Sequence, residues 1–139
     1  MPSTVLVVDD FAEYREYLCK LLNQNSDFVV VGEAPDAMAA VQRAAEMRPD
    51  IILLDIGLPS LGGLDAIGLI QKVSPRSRVV FITQQAAPEV IRAAFERGAS
   101  AYLSKFYVAD ELRCALRCVM EDVLFLGKYS LGDELGPVQ

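Results

Sequence analysis

A chain of 139 residues, 53% of them hydrophobic, has enough apolar material for one compact core and too little for two independent domains. Its 13 basic and 19 acidic residues leave a net charge of -6, which repels phosphate backbones and anionic lipid, so no direct nucleic-acid or membrane-surface ligand is expected. The chain has no histidine, which rules out Ser-His-Asp and Cys-His nucleophile systems and any phosphohistidine of its own. Cys19, Cys114 and Cys118 are widely placed and odd in number, and they read as buried or half-buried free thiols. No apolar run approaches the ~20 residues that cross a bilayer. The opening MPSTVLVVDD lacks the charged segment of a secretory leader, so a cytoplasmic location is expected.

In chain order, short aliphatic runs at 4–8, 28–32, 51–54, 78–83 and 101–104 predict five strands. Four of them are nearly continuous apolar stretches, the pattern of strands covered on both faces of a parallel sheet. Helical periodicity fills the intervals. Phe11, Tyr14, Leu18, Leu21 and Leu22 line one face of a first helix. The second, from Asp36 to Met47, turns Ala37, Ala40, Val41 and Ala44 inward and stops at Pro49. Leu64 to Lys72, Glu89 to Arg97 and Ala109 to about Leu124 give three more, with Gly98 at an expected C-cap. Such alternation predicts an α/β doubly wound sheet with helices on both faces and right-handed crossovers. Among small sheets of this kind the flavodoxin-like order 2-1-3-4-5 is common, and its ligand crevice lies between the carboxyl ends of strands 1 and 3.

Asp9 and Asp10 end the first strand, Asp55 the third, Thr83 the fourth and Lys105 the fifth. Taken singly, Asp10 reads as a helix N-cap, Thr83 as a residue suited to the pleat and Lys105 as a solvated charge. Asp55 resists such a reading, because a charge directly after a fully buried strand needs a partner. Together, three aspartates at one rim repel one another unless a cation intervenes, and hard oxygen ligands suit Mg²⁺. Asp10 and Asp55 would each give one oxygen, and the loop after the third strand a carbonyl, expected from Gly57. A carboxylate beside a divalent cation, an ammonium and a hydroxyl is placed to attack phosphorus. Asp55 would then be a covalent nucleophile, with Lys105 and Thr83 meeting the charge on the phosphoryl oxygens.

The motifs VLVVDD, IILLDIGLPSLGGLDAI, VVFIT and GASAYLSK, in this order, resemble those of response-regulator receiver domains of two-component signalling, from Val5 to about Leu116. The resemblance implies the 2-1-3-4-5 order, Asp55 as phosphoacceptor, Asp9 and Asp10 as the acidic pair of the metal site, and Thr83 and Lys105 as phosphate contacts. It also implies Tyr102 as a switch aromatic that turns inward when Thr83 is drawn to the phosphoryl group; the plainer alternative is an aromatic packed at a sheet edge. The implied partner is a sensor histidine kinase or phosphotransfer protein. DIGLPSLGG and the tail VLFLGKYSLGDELGPVQ resemble the LuxR/NarL-type subfamily, which implies a transcriptional output.

The chain departs from the family pattern at Phe106, where many relatives have a proline that is often cis; a trans bond is expected here. Gln84 is larger than the small residue often found there in the family, and the resemblance implies that Gly57 and Gln85 occupy positions that influence phosphoryl loss. Residues 1–125 read as the receiver and 126–139 as a tail or the start of a linker. Arg92 and Arg97 with Asp110 and Glu111 could bridge a homodimer through the fourth helix, fifth strand and fifth helix, and pairing through the first and fifth helices is the alternative, although solvated faces are the plainer expectation. A haloacid-dehalogenase-like phosphatase would need a second aspartate two residues after its nucleophile, and VVDDFAEY lacks it. A flavodoxin-like FMN carrier would want a phosphate-binding Ser/Thr/Gly-rich loop after the first strand, where two aspartates would repel the FMN phosphate. A receiver-fold docking module without phosphorylation is the remaining alternative.

Overall fold

The structure, a computed structural model, describes residues 1–59, 61–84 and 87–128. Gln85 and the tail from Tyr129 onward lie outside the described residues. The strands are β1 (Ser3–Val8), β2 (Phe28–Ala34), β3 (Ile51–Leu54), β4 (Arg78–Thr83), β5 (Ala101–Ser104) and β6 (Phe125–Leu126). Between them run α1 (Ala12–Asn23), α2 (Ala37–Met47), α3 (Gly63–Val73), α4 (Pro88–Glu96) and α5 (Val108–Met120). Every neighbouring pair of strands is parallel, in the order β2-β1-β3-β4-β5-β6.

The sixth strand corrects the five-strand expectation. The sequence reading carries the last helix to about Leu124, but α5 stops at Met120. Asp122 adopts a left-handed φ of 61°, and the Val123 N–H turns back to the Cys118 carbonyl at 2.8 Å. The chain is thereby laid along the open edge of β5, pairing Phe125 with Ala101 and Leu126 with Tyr102. The sheet thus runs one residue into the segment read from sequence as a tail.

Strand alternation divides the core in two. Leu6, Val8, Ile52, Leu54, Phe81 and Tyr102 face α2, α3 and α4. Val5, Val7, Ile51, Leu53, Val80, Ile82, Ala101 and Leu103 face α1 and α5. Each large aliphatic side chain buried this way contributes about 1.5–3 kcal/mol of transfer free energy. The alanines of α2 let it lie close to the sheet: Ala37, Ala40 and Ala44 are buried, and the Asp36 carboxylate caps the helix by accepting from the Ala39 N–H. β2 behaves differently from its unbroken apolar run. It is an edge strand, so Val29 and Val31 remain 40% and 38% exposed.

Two further expectations change. Phe11 sits at the N-cap position of α1, before the helical face begins, and is 58% exposed. Cys114 is exposed rather than covered, because the inward stripe of α5 is Leu112, Ala115, Leu116 and Val119. At the end of α4, Gly98 takes the left-handed region with φ 102°, as the C-cap reading requires. No described peptide bond is cis, including the one between Lys105 and Phe106. Arg97, offered above as a dimer bridge, is engaged within the chain by the Leu64 carbonyl at 2.8 Å and Asp65 Oδ1 at 3.1 Å. The Glu111 carboxylate is likewise taken, accepting from the Lys128 N–H. Among the described residues no helix is long and apolar enough to cross a membrane.

Candidate functional site

Strand register builds the site. Val8 of β1 pairs with Leu54 of β3, so Asp9 and Asp55 leave neighbouring strands side by side, tied by Asp55 N–H donating to the Val8 carbonyl at 3.3 Å. Thr83 of β4 pairs with Ser104 of β5, and the Lys105 N–H donates to the Thr83 carbonyl at 3.0 Å. Counting the alternation one residue past each strand gives Asp9, Asp55 and Lys105 the parity of the α1/α5 face. Thr83 and Tyr102 take the parity of the α4 face. One rim therefore presents the charged triad on one side and Thr83 on the other, with Tyr102 two residues deeper on the Thr83 side.

The triad is in direct contact. Lys105 Nζ lies 2.8 Å from Asp9 Oδ2 and 3.1 Å from Asp55 Oδ2. Asp9 is 1% exposed and Asp55 8%, whereas Asp10 is exposed at the mouth. Burial pulls the Lys105 ammonium down, but hydrogen bonds and charge from Asp9 and Asp55 together outweigh it and hold the group above its ordinary value. Asp9 Oδ1 accepts from the Phe11 N–H at 2.9 Å, and the Arg15 guanidinium donates to the Asp9 carbonyl at 2.7 Å. These bonds fix where α1 starts. Gly57 reaches the site through its amide, which donates to Asp55 Oδ1 at 3.0 Å.

A cleft of about 600 Å³ opens over these groups, lined by Asp10, Asp55, Gly57, Thr83, Gln84 and Lys105 together with Phe11, Tyr14 and Phe106. One carboxylate oxygen from each of Asp9, Asp10 and Asp55 falls within a 4.8 Å cluster. Three hard anionic oxygens at the edge of an open, water-accessible cleft fit Mg²⁺, which keeps several waters and takes few protein ligands. Each residue expected from sequence for the charged site is thus at this rim. Lys105 lies between two of the carboxylates, because it shares their side of the sheet.

Tyr102, on β5, is completely buried, packed in the α4-side core with Phe81, Ile91 and Ala94. Its carbonyl accepts from the Gly127 N–H at 3.0 Å, just beyond β6.

Sequence reading missed one neighbour of the triad, Tyr14. The Lys105 ammonium sits over its ring, 4.5 Å from the centre. Burial, then the nearby Tyr17, Asp9 and Asp55, push the Tyr14 phenol well above its ordinary value, so the ring stays neutral. Its position five residues after Asp9, in the first turn of α1 on the sheet-facing side, was the available signal.

The profile of the response regulator receiver domain matches residues 5–117 of this chain. The chain belongs to that family. Over 137 residues the receiver is 31% identical to the nitrate/nitrite response regulator protein NarL of Escherichia coli (strain K12), a match covering 99% of this chain and 61% of that regulator. The chain therefore spans less than two thirds of that relative's length. It is 33% identical over 112 residues to the chemotaxis protein CheY of Listeria monocytogenes, covering 81% of this chain and 93% of CheY. The crystal structure of a LuxR-family two-component response regulator from Aurantimonas sp. SI85-9A1 superposes with a TM-score of 0.86 at 28% identity, covering 96% of this chain and 94% of that one. Regulators of the LuxR/NarL type are thus among the proteins this receiver is similar to, and receiver domains are generally signal transducers.

Proposed function

We propose that Asp55 accepts a phosphoryl group from a phosphohistidine of a sensor kinase or phosphotransfer protein, in a site that uses Mg²⁺. One observation carries this reading: the Lys105 ammonium is fixed within 2.8 Å of Asp9 and 3.1 Å of Asp55 at the floor of an open cleft. A carboxylate oxygen of Asp55 attacks phosphorus, the phosphorus–nitrogen bond breaks, and its electron pair leaves with the imidazole. Lys105 and the Thr83 hydroxyl meet the phosphoryl oxygens as charge moves onto them. Asp9, Asp10 and Asp55, with the Gly57 carbonyl, are the groups that would hold the cation. Offsetting charge on the phosphoryl oxygens is the chemistry that Mg²⁺ supplies when bound.

The added group brings about -1.5 to -2 of charge to Asp55. Thr83 would be drawn toward it on the α4 side of the sheet; the inward turn implied for Tyr102 has no further room to be made, since that ring is already completely buried. The LuxR/NarL-type relatives support transcription as the output of a longer protein carrying this receiver. Pairing of two copies through α4, β5 and α5 would rest on the exposed Arg92 and Asp110, since Arg97 and Glu111 already serve inside the chain.

Intact mass after incubation with acetyl phosphate and Mg²⁺ tests the acceptor. The native chain should gain one phosphoryl group and Asp55→Asn none, with no gain by either when Mg²⁺ is chelated. Equal labelling of native and Asp55→Asn chains would remove Asp55 from this role.

A further inference from the structure

Lysine carries its charge on a long, flexible stem, so something must keep the Lys105 ammonium at the cleft as its partners change. Asp9 and Asp55 hold it on one side. The ring of Tyr14 holds it on another, with Nζ 4.5 Å from the ring centre, well inside the range of a cation–π contact. The ring is itself braced by Tyr17, at 5.6 Å between centres and tilted by 48°. The Tyr14 hydroxyl is buried and has no hydrogen-bond partner among the described residues. The side chain therefore serves the site through its face and not through its polar end.

We infer that Tyr14 is a positioning residue for phosphoryl transfer, whose ring face holds the Lys105 ammonium over the carboxylate pair and keeps it there when the phosphoryl group arrives. This rests on the reading of Asp55 as acceptor. A hydrogen bond between Lys105 and a carboxylate must be exchanged when the ammonium turns to a phosphoryl oxygen. Attraction to a ring face has no single donor–acceptor axis, so the ammonium can shift across it without losing that partner. The ring gives Lys105 a fixed support through the reaction while its anionic partners change.

The test uses Tyr14→Phe and Tyr14→Leu in the full chain. In the native protein and Tyr14→Phe, the ring current of residue 14 should displace the NMR signals of the Lys105 ε-methylene upfield; Tyr14→Leu should abolish the displacement. Labelling by acetyl phosphate with Mg²⁺ should slow roughly 3- to 30-fold in Tyr14→Leu and stay within about twofold of native in Tyr14→Phe. In a Lys105→Ala background the two Tyr14 variants should label at the same rate, because the group they position is gone. An undisplaced ε-methylene signal in the native chain would overturn the inference, as would Tyr14→Phe as slow as Tyr14→Leu. So would a Tyr14→Leu penalty that persists without Lys105. A native chain that never labels would instead overturn the assignment of Asp55, leaving the Lys105–Tyr14 contact to be decided by the NMR signal alone.

Discussion

Replacing Lys105 with alanine should slow labelling of Asp55 about 10²- to 10³-fold, the usual cost of losing one preorganised group aimed at developing charge, while Mg²⁺ binding becomes tighter. The opposite signs follow from one contact. In the absence of a phosphoryl group, Lys105 is paired with the Asp9 and Asp55 carboxylates, two of the three that could hold a divalent cation. Removing the ammonium frees both carboxylates and deletes a repelling charge. Without divalent cation the variant should also lose roughly 3 kcal/mol of stability, the low end for a broken buried pair, since the Lys105 side chain keeps 14% of its exposure. Added Mg²⁺ should restore part of that loss. The pH dependence has a definite direction. Lys105 is held above its ordinary value in the folded chain, so its contribution is complete below the unfolded-state value of about 10.4. It is lost as pH rises through the higher folded value. The stability difference between native and Lys105→Ala chains should therefore be level through neutral pH and shrink only above about pH 10.5. Calorimetric Mg²⁺ titration and denaturant melts check these points; an unchanged Mg²⁺ affinity with a rate within twofold of native would contradict them.

Gly63→Ala should damage the site from outside it. Gly63 opens α3, and its N–H donates to the Ile56 carbonyl at 2.9 Å. A Cβ there would stand 2.5 Å from the Asp55 carbonyl oxygen and 2.8 Å from Ile56 Cα, both backbone atoms that cannot swing aside. The chain carrying the acceptor must shift instead. A loss of about 2–3 kcal/mol is expected from such overpacking, with labelling slowed at least tenfold as Asp55 leaves its alignment with Lys105. Gly68→Ala on the same helix is the control, since nothing lies within 4 Å of its added methyl. It should gain about 0.5–1 kcal/mol from helix propensity alone and label normally. Equal behaviour of the two variants in urea melts and labelling would show that the Gly63 contact has no bearing on the site.

Most of the fold could be read from the sequence because its strands are short, apolar and regularly spaced. β3, β4 and β5 occupy the spans that their aliphatic runs mark, and Asp36 and Gly98 cap as their types suggest. The failures have local causes. The helix read to about Leu124 stops at Met120, before the left-handed Asp122, and a two-residue strand such as β6 has no periodicity to detect. Phe11 fits the apolar face of α1 by spacing but precedes the helix itself. At the site, the carboxylates, threonine and lysine were legible because each ends or follows a strand that register brings to one rim. The position of Lys105 between Asp9 and Asp55 depended on carrying strand parity one residue further, and the Tyr14 contact on how α1 packs across that face. Spacing along a single helix does not specify such packing.

The convergence of the Asp9, Asp55 and Lys105 strand ends on one acceptor oxygen is tested most directly by trapping the product. Borohydride reduces an aspartyl phosphate to homoserine, and peptide mass mapping of the acetyl-phosphate-treated chain then reads which residue was modified. Homoserine at position 55 alone is the expected result. Homoserine at position 9 or 10, or none anywhere in a folded, Mg²⁺-supplied chain, would contradict it.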